Sequence, residues 1–180
     1  MHTDAASKKT QAKTTTKNFM KAVKKFDSKG MNKYVKSWGY RAKPSDFNDY
    51  PYMKKYFKWT NKKLSYKILS TSVSGKTAKV KLRVKYINSK NYTDTLFNEL
   101  ISYTLTLDDL SEEDLDAVMN KCTKSAYKSA IKSKRKYKTE TVTITFGKYN
   151  GKWKIKKMSK KLENIIYANF PYCLEHFWEE

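Results

Sequence analysis

Within residues 77–87, TAKVKLRVKYI, positions 78–86 alternate without a break between apolar and charged side chains. Period two is the pleat of a β-strand, so Ala78, Val80, Leu82, Val84 and Tyr86 share one face and Lys79, Lys81, Arg83 and Lys85 the other. One face must be covered and the other is wet. The same alternation returns at Lys148 to Met158, KYNGKWKIKKM, around Asn150-Gly151, the strongest short hairpin signal in the chain. If Tyr149 pairs with Lys152, then Ile155 lies opposite Phe146, and Lys152, Lys154 and Lys156 share the face away from it. Val142, Ile144 and Phe146 point inward from the strand before the turn. Leu64, Tyr66 and Ile68 begin an earlier strand that turns at Ser74-Gly75-Lys76.

The rest of the chain carries helical spacing. Ala12, Phe19, Met20, Val23 and Phe26 predict a first helix from about Ser7 to Lys25, ended by Asp27, Ser28 and Gly30. Met31, Tyr34, Val35 and Trp38 repeat at i, i+3, i+4 and i+7 and predict a second, which makes a helical hairpin. Met53, Tyr56 and Phe57 mark a short helix after the turn residues Pro44 to Pro51. Thr93 to Leu107 predicts a helix through Leu96, Phe97, Leu100, Ile101 and Leu105. Ser111 heads SEED, a start resembling a capping box, for another whose apolar stripe is Leu115, Val118, Met119, Cys122, Ala126 and Ala130. The tail from Lys161 predicts short helical turns that dock aromatics. The expected organisation is a solvated leader or linker at 1–13 and one α+β domain at 14–180. In it an N-terminal helical hairpin precedes an antiparallel sheet, with a helical insertion at about 92–138 before the last hairpin.

That order is similar to the nuclear transport factor two-like, or cystatin-like, superfamily. TTKNFMKAVKKFDSKGMNKYV, KKLSYKILSTSVSGKTAKVKLRVKYIN, and VTITFGKYNGKWKI followed by LENIIYANF resemble small extracytoplasmic domains found in lipoproteins of Gram-positive bacteria. The similarity covers roughly residues 14–170. It implies a curved sheet with helices across its concave face, a conical pocket between them, and secretion with lipid anchorage at the membrane. The sequence departs from that pattern in three places: no signal peptide or lipid-bearing Cys is seen, the insertion is long, and the tail beyond Pro171 has no counterpart.

Charge limits the partners. The 180 residues hold 39 Lys and Arg against 17 Asp and Glu, for a formal net charge of +22. The excess is spread along the chain, so the electrostatic partners are polyanions: nucleic acid, anionic lipid or acidic wall polymer. The strand faces Lys79, Lys81, Arg83, Lys85 and Lys152, Lys154, Lys156 form a possible polyanion-contact platform. Their simpler role is the solvent face of a sheet, where lysines also discourage edge pairing. Nucleic acid is the less favoured partner, because Lys dominates over Arg and no base-stacking aromatic is expected on the charged face. Lys124, Lys128, Lys132, Arg135 and Lys136 give the long helix a charged outer face open to the same two readings.

For chemistry the inventory is thin. His2 lies in the leader and His176 in the aromatic tail, neither near a Ser or Cys nucleophile in sequence or expected topology. Asp108, Asp109, Glu112 and Glu113 fall around a helix start, where capping accounts for them. No metal-ligand spacing and no phosphate-cradling glycine loop occur. Cys122 is expected as a buried free thiol, with a disulfide to Cys173 as the other possibility. Tyr34, Trp38, Tyr66, Tyr86 and Trp153 are candidates to line a pocket, or else core. These features predict a non-enzymatic domain that binds a ligand or partner without a cofactor, and the resemblance implies that it is extracytoplasmic. The alternatives are a basic polyanion-binding module, and a small-molecule binder or enzyme of the same fold.

Overall fold

A computed structural model describes residues 2–106 and 112–179. Three helical segments come first: α1 (His2–Lys25), α2 (Ser28–Lys33) and, after a 3-10 turn at Pro44–Phe47, α3 (Pro51–Asn61). A hairpin of β1 (Ser65–Ser74) and β2 (Thr77–Ile87) follows, then α4 (Lys90–Thr104) and α5 (Glu112–Lys132). A second hairpin, β3 (Tyr137–Tyr149) and β4 (Lys152–Ile155), precedes α6 (Lys160–Ile166), α7 (Phe170–Glu175) and a closing 3-10 turn. The sheet is antiparallel in the order β1-β2-β3-β4. This is the α+β arrangement read from the sequence, with α4 and α5 as the insertion. None of the helices is long and apolar enough, over the described residues, to cross a membrane.

Helical and strand periods meet in the core. Ala12, Phe19, Met20 and Val23 of α1 are fully buried, as are Ala78, Val80, Leu82 and Val84 of β2. Asn150 and Gly151 both adopt positive φ, which sets the right-handed twist a two-residue hairpin needs. The expected register follows, with Tyr149 opposite Lys152 and Phe146 opposite Ile155.

The second helix is shorter than its spacing predicts. It ends at Lys33, and Val35 instead forms a parallel bridge with Ile155. The Lys36 amide donates to the Ile155 carbonyl at 2.8 Å and the Ile155 amide to the Tyr34 carbonyl at 2.7 Å. The unpaired edge of β4 thus takes a segment that local periodicity assigns to a helix. At the other end α1 runs back to His2, through the residues whose composition reads as leader. Residues 5–11 are exposed or half-buried, but Ala12 is already buried. In α4 the helix stops at Thr104, leaving Leu105 82% exposed, and in α5 Leu115 is 47% exposed, so the buried stripe is carried by Cys122 and Ala126. Ser111, Asp108 and Asp109 lie outside the described residues, as do the side chains of His2, Glu112 and Glu113.

An aromatic cluster joins the helical layer to the tail. Phe57 is fully buried, with ring centroids of Phe26, Phe47, Tyr56, Tyr167 and Phe170 between 5.1 and 5.8 Å away. Beside it the Asn61 amide, 1% exposed, donates to the Val23 carbonyl at 3.0 Å and the Ile166 carbonyl at 2.9 Å. It thereby fastens the last turns of α1 and α6 to α3. Asn61→Leu removes both bonds while keeping the volume; the Val23 carbonyl keeps the Phe26 amide at 2.9 Å, and the loss at the Ile166 carbonyl costs about 1–3 kcal/mol. Urea unfolding is expected to show a loss in that range, and an unchanged midpoint would mean the Ile166 carbonyl finds another donor.

Candidate functional site

β2 and β3 pair along their whole length, and that pairing decides whether the cations form one surface. Lys79, Lys81, Arg83 and Lys85 stand opposite Thr145, Thr143, Thr141 and Thr139 on β3. On β1 their partners are Ser72, Ser70, Lys67 and Ser65. A column of four exposed cations is therefore flanked by four threonines on the β3 side and by three serines and Lys67 on the β1 side. Ser74, Thr77, Gly147 and Lys154 form one row across the sheet, which carries the face on to β4. The Lys156 ammonium donates to the Thr77 hydroxyl at 2.9 Å across that junction. The two basic clusters are one face because the two hairpins adjoin.

The face contains no carboxylate. Glu140 is the only acidic residue in the four strands, and it stands opposite Val84, on the covered side, within 2.6 Å of the Lys138 ammonium. Among the described residues, none of Lys79, Lys81, Arg83, Lys85, Lys152 or Lys154 makes an ion pair. Lys67 and Arg83 are direct cross-strand partners, a like-charge pairing that disfavours the sheet. Fold stability does not account for it.

Two aromatics occupy this face, contrary to the expectation that it holds none. Tyr149 lies over Gly147, where an added Cβ would come within 2.8 Å of the ring, and the Lys36 ammonium sits 5.4 Å from its centroid. Tyr137, 43% exposed, takes the Lys85 ammonium at 4.9 Å. Strand parity held the signal, since both tyrosines are in phase with Thr139 to Thr145. They are twelve residues apart on one strand, about 40 Å, too far to stack neighbouring bases.

A second basic surface lies at the other side of β1. Lys17, Lys21, Lys24 and Lys25 of α1, with Lys62 and Tyr66, line a groove of about 440 Å³. The helical spacing of the four α1 lysines was visible in the sequence; their placement beside β1 was not. The helical face read from the sequence is shorter than expected, because α5 ends at Lys132 and Arg135 and Lys136 lie beyond it; Lys124 on α5 lies 5.7 Å from the Tyr52 ring and Arg135 lies 5.7 Å from that of Trp59, so part of this charge is spent on aromatic contacts.

The candidate pocket residues do not converge. Tyr34 and Trp153 share a groove of about 340 Å³ with Thr10, Thr14, Lys33 and Lys152. Tyr66 belongs to the basic groove, Trp38 is 8% exposed and donates to Asn32 at 2.8 Å, and Tyr86 is 1% exposed. Burial, followed by the neighbouring Glu140 carboxylate, pushes the Tyr86 hydroxyl well above the usual tyrosine range. Burial does the same to Tyr56, Tyr92 and Tyr167. The void beside Tyr56 and Tyr92 is about 20 Å³, room for a single water. In place of the single conical pocket that the resemblance implies, the covered side is filled around Tyr56, Tyr86 and Tyr92, and the groove of Tyr34 and Trp153 lies apart, at its β4 end.

Cys173 and His176, three residues apart, also come together in space, which corrects the reading that no Cys lies near His176. They share a groove of about 180 Å³ with Asn88, Asp94 and Asn169. Both imidazole nitrogens are turned elsewhere: Nδ1 lies 2.8 Å from the Tyr172 carbonyl and Nε2 lies 3.8 Å from a Glu179 carboxylate oxygen. Burial raises the thiol pKa of Cys173, and that of Cys122 is raised for the same reason. A raised thiol beside an imidazole turned away is not an activated nucleophile. Both cysteines are free, Cys122 fully buried as expected.

No protein-family model matches the chain, and no curated protein matches it either. Among solved structures, the chain is similar in part to a "putative lipoprotein (ycdA)" from Bacillus subtilis, with a TM-score of 0.43 and 16% identity. The match covers 69% of this chain and 38% of the other, so it spans well under half of that protein's length.

Proposed function

We propose that this domain is a non-enzymatic module that docks on a phosphate-rich surface outside the cytoplasmic membrane, through the wet face of its sheet. The observation that carries the reading is the column Lys79, Lys81, Arg83, Lys85, flanked by serines, threonines and Lys67 and free of carboxylates. Ammonium and guanidinium groups attract phosphate oxygens, and the adjacent hydroxyls donate hydrogen bonds to them. Lipid headgroups and wall polymers offer the same phosphate chemistry. The location outside the membrane is supported by the sequence resemblance alone.

Nucleic acid fits less well. The face is lysine-rich, and its two tyrosines stand too far apart to serve as a stacking platform. The filled side of the sheet and the committed imidazole of His176 favour binding over catalysis.

The test is retention on vesicles of mixed phosphatidylglycerol and phosphatidylcholine and on purified wall polymer, set beside duplex and single-stranded DNA at increasing salt. Retention on vesicles or polymer at about 0.15 M salt is expected, where exposed charges more than about 8 Å apart are largely screened, with DNA already released. Vesicle and polymer arms identify the source of the phosphate. Tight DNA binding at that salt, or equal retention on neutral vesicles, overturns the proposal.

A further inference from the structure

The two edges of the sheet are finished differently. The β4 edge is sealed by the Tyr34–Lys36 backbone, whereas β1 has β2 on one side and no backbone hydrogen bond to any other described segment. No residue of β1 is buried, while its neighbour β2 is buried at every second position. Such an edge offers a row of amides and carbonyls to another strand.

Side chains of an added strand point alternately to the two faces of the sheet. Toward the covered face they meet the groove of Lys17, Lys21, Lys24, Lys25 and Lys62. Toward the wet face they meet Lys67 and, one strand inward, Arg83, which line a groove of about 330 Å³. Tyr66 borders both grooves, so they open on the same stretch, Ser65 to Ile68, ahead of the irregularity between Ile68 and Ser70. Lys17, Lys21 and Lys25 repeat at i, i+4 and i+8, a spacing that repels along the helix.

We infer that the β1 edge accepts an extended, acidic peptide segment of another protein as a fifth strand, with carboxylates directed to both faces. A second copy of this chain is excluded as occupant by the same charges, since two β1 edges would set lysines against lysines. The surface involved is distinct from the Lys79–Lys81 part of the docking face, so the inference does not depend on the proposed function.

The experiment uses a fluorescent eight-residue peptide alternating Glu with Val and Thr. A second peptide of equal charge has proline at alternate positions, which removes the backbone donors. The first peptide is expected to bind and to slow hydrogen exchange within Ser65–Ser74, and the proline peptide to bind about tenfold more weakly. Lys21→Glu with Lys24→Glu is expected to weaken the first peptide about tenfold, and Lys79→Glu with Lys81→Glu to leave it within about twofold. Equal binding of the two peptides, protection outside β1, or no binding overturns the inference. Loss of vesicle retention in the Lys79/Lys81 variant with peptide binding intact would separate the two surfaces.

Discussion

Replacing Lys79, Lys81, Arg83 and Lys85 together with Gln is expected to lower affinity for phosphatidylglycerol vesicles by roughly a thousandfold. The magnitude follows from about 1 kcal/mol per cation held near an anionic surface, and from the factor of ten that each 1.4 kcal/mol represents. Each single replacement is expected to cost about fivefold on the same basis. All four side chains are exposed and none is ion-paired among the described residues, so the fold loses no ion pair and gives up the Lys85 contact with the Tyr137 ring. Removing Arg83 also relieves its repulsion with Lys67, so the urea midpoint is expected to stay or rise. Vesicle sedimentation on the wild type and the fourfold variant reads the result. A change within about threefold would show that the cations act as dispersed charge and that the column has no special part in docking.

The largest expected loss of stability comes from Phe57→Ala, about 3–5 kcal/mol. Five rings face this side chain, contributed by the end of α1, the 3-10 turn, α3 itself, the end of α6 and the start of α7. Truncation opens a cavity whose walls belong to five separate segments, and rings held from several directions cannot collapse together to fill it. Trp178→Ala supplies the contrast: that side chain is 77% exposed, and its loss is expected to stay within about 0.5 kcal/mol. Urea unfolding of the two variants gives the comparison. A loss below about 1.5 kcal/mol at Phe57 would mean that the cluster repacks.

What was legible in the sequence was mostly local. Asn150-Gly151 set the register of the last hairpin to the residue, and the alternation placed every cation of β2 and the core side chains from Ala78 to Tyr86 on their proper faces; buried Ile87, in phase with the cations, fell outside the pattern. What escaped depended on contacts distant in sequence. Val35 leaves helical geometry because Ile155 offers it backbone partners, and nothing near Val35 announces this. The union of the two basic clusters rests on the pairing of β2 with β3 across α4 and α5, which period-two patterning cannot reveal. Tyr137 and Tyr149 could have been assigned to the charged face by parity, had the strand been followed to both of its ends. Cys173 and His176 lie three residues apart, and only the path of α7 and its neighbours shows that they share a groove yet do not engage.

The pairing of β2 with β3 also has a kinetic side. Their separation in sequence means that the unfolded chain carries the same charge but not the pattern; the face is created when a long loop closes against mutual repulsion. Added salt is therefore expected to speed that closure. An anion that grips the finished face binds the folded chain and not the unfolded one, and so stabilises it by mass action. If the domain docks as proposed, it is sturdier on its target than in free solution, and the docking surface serves also as the template that holds it together.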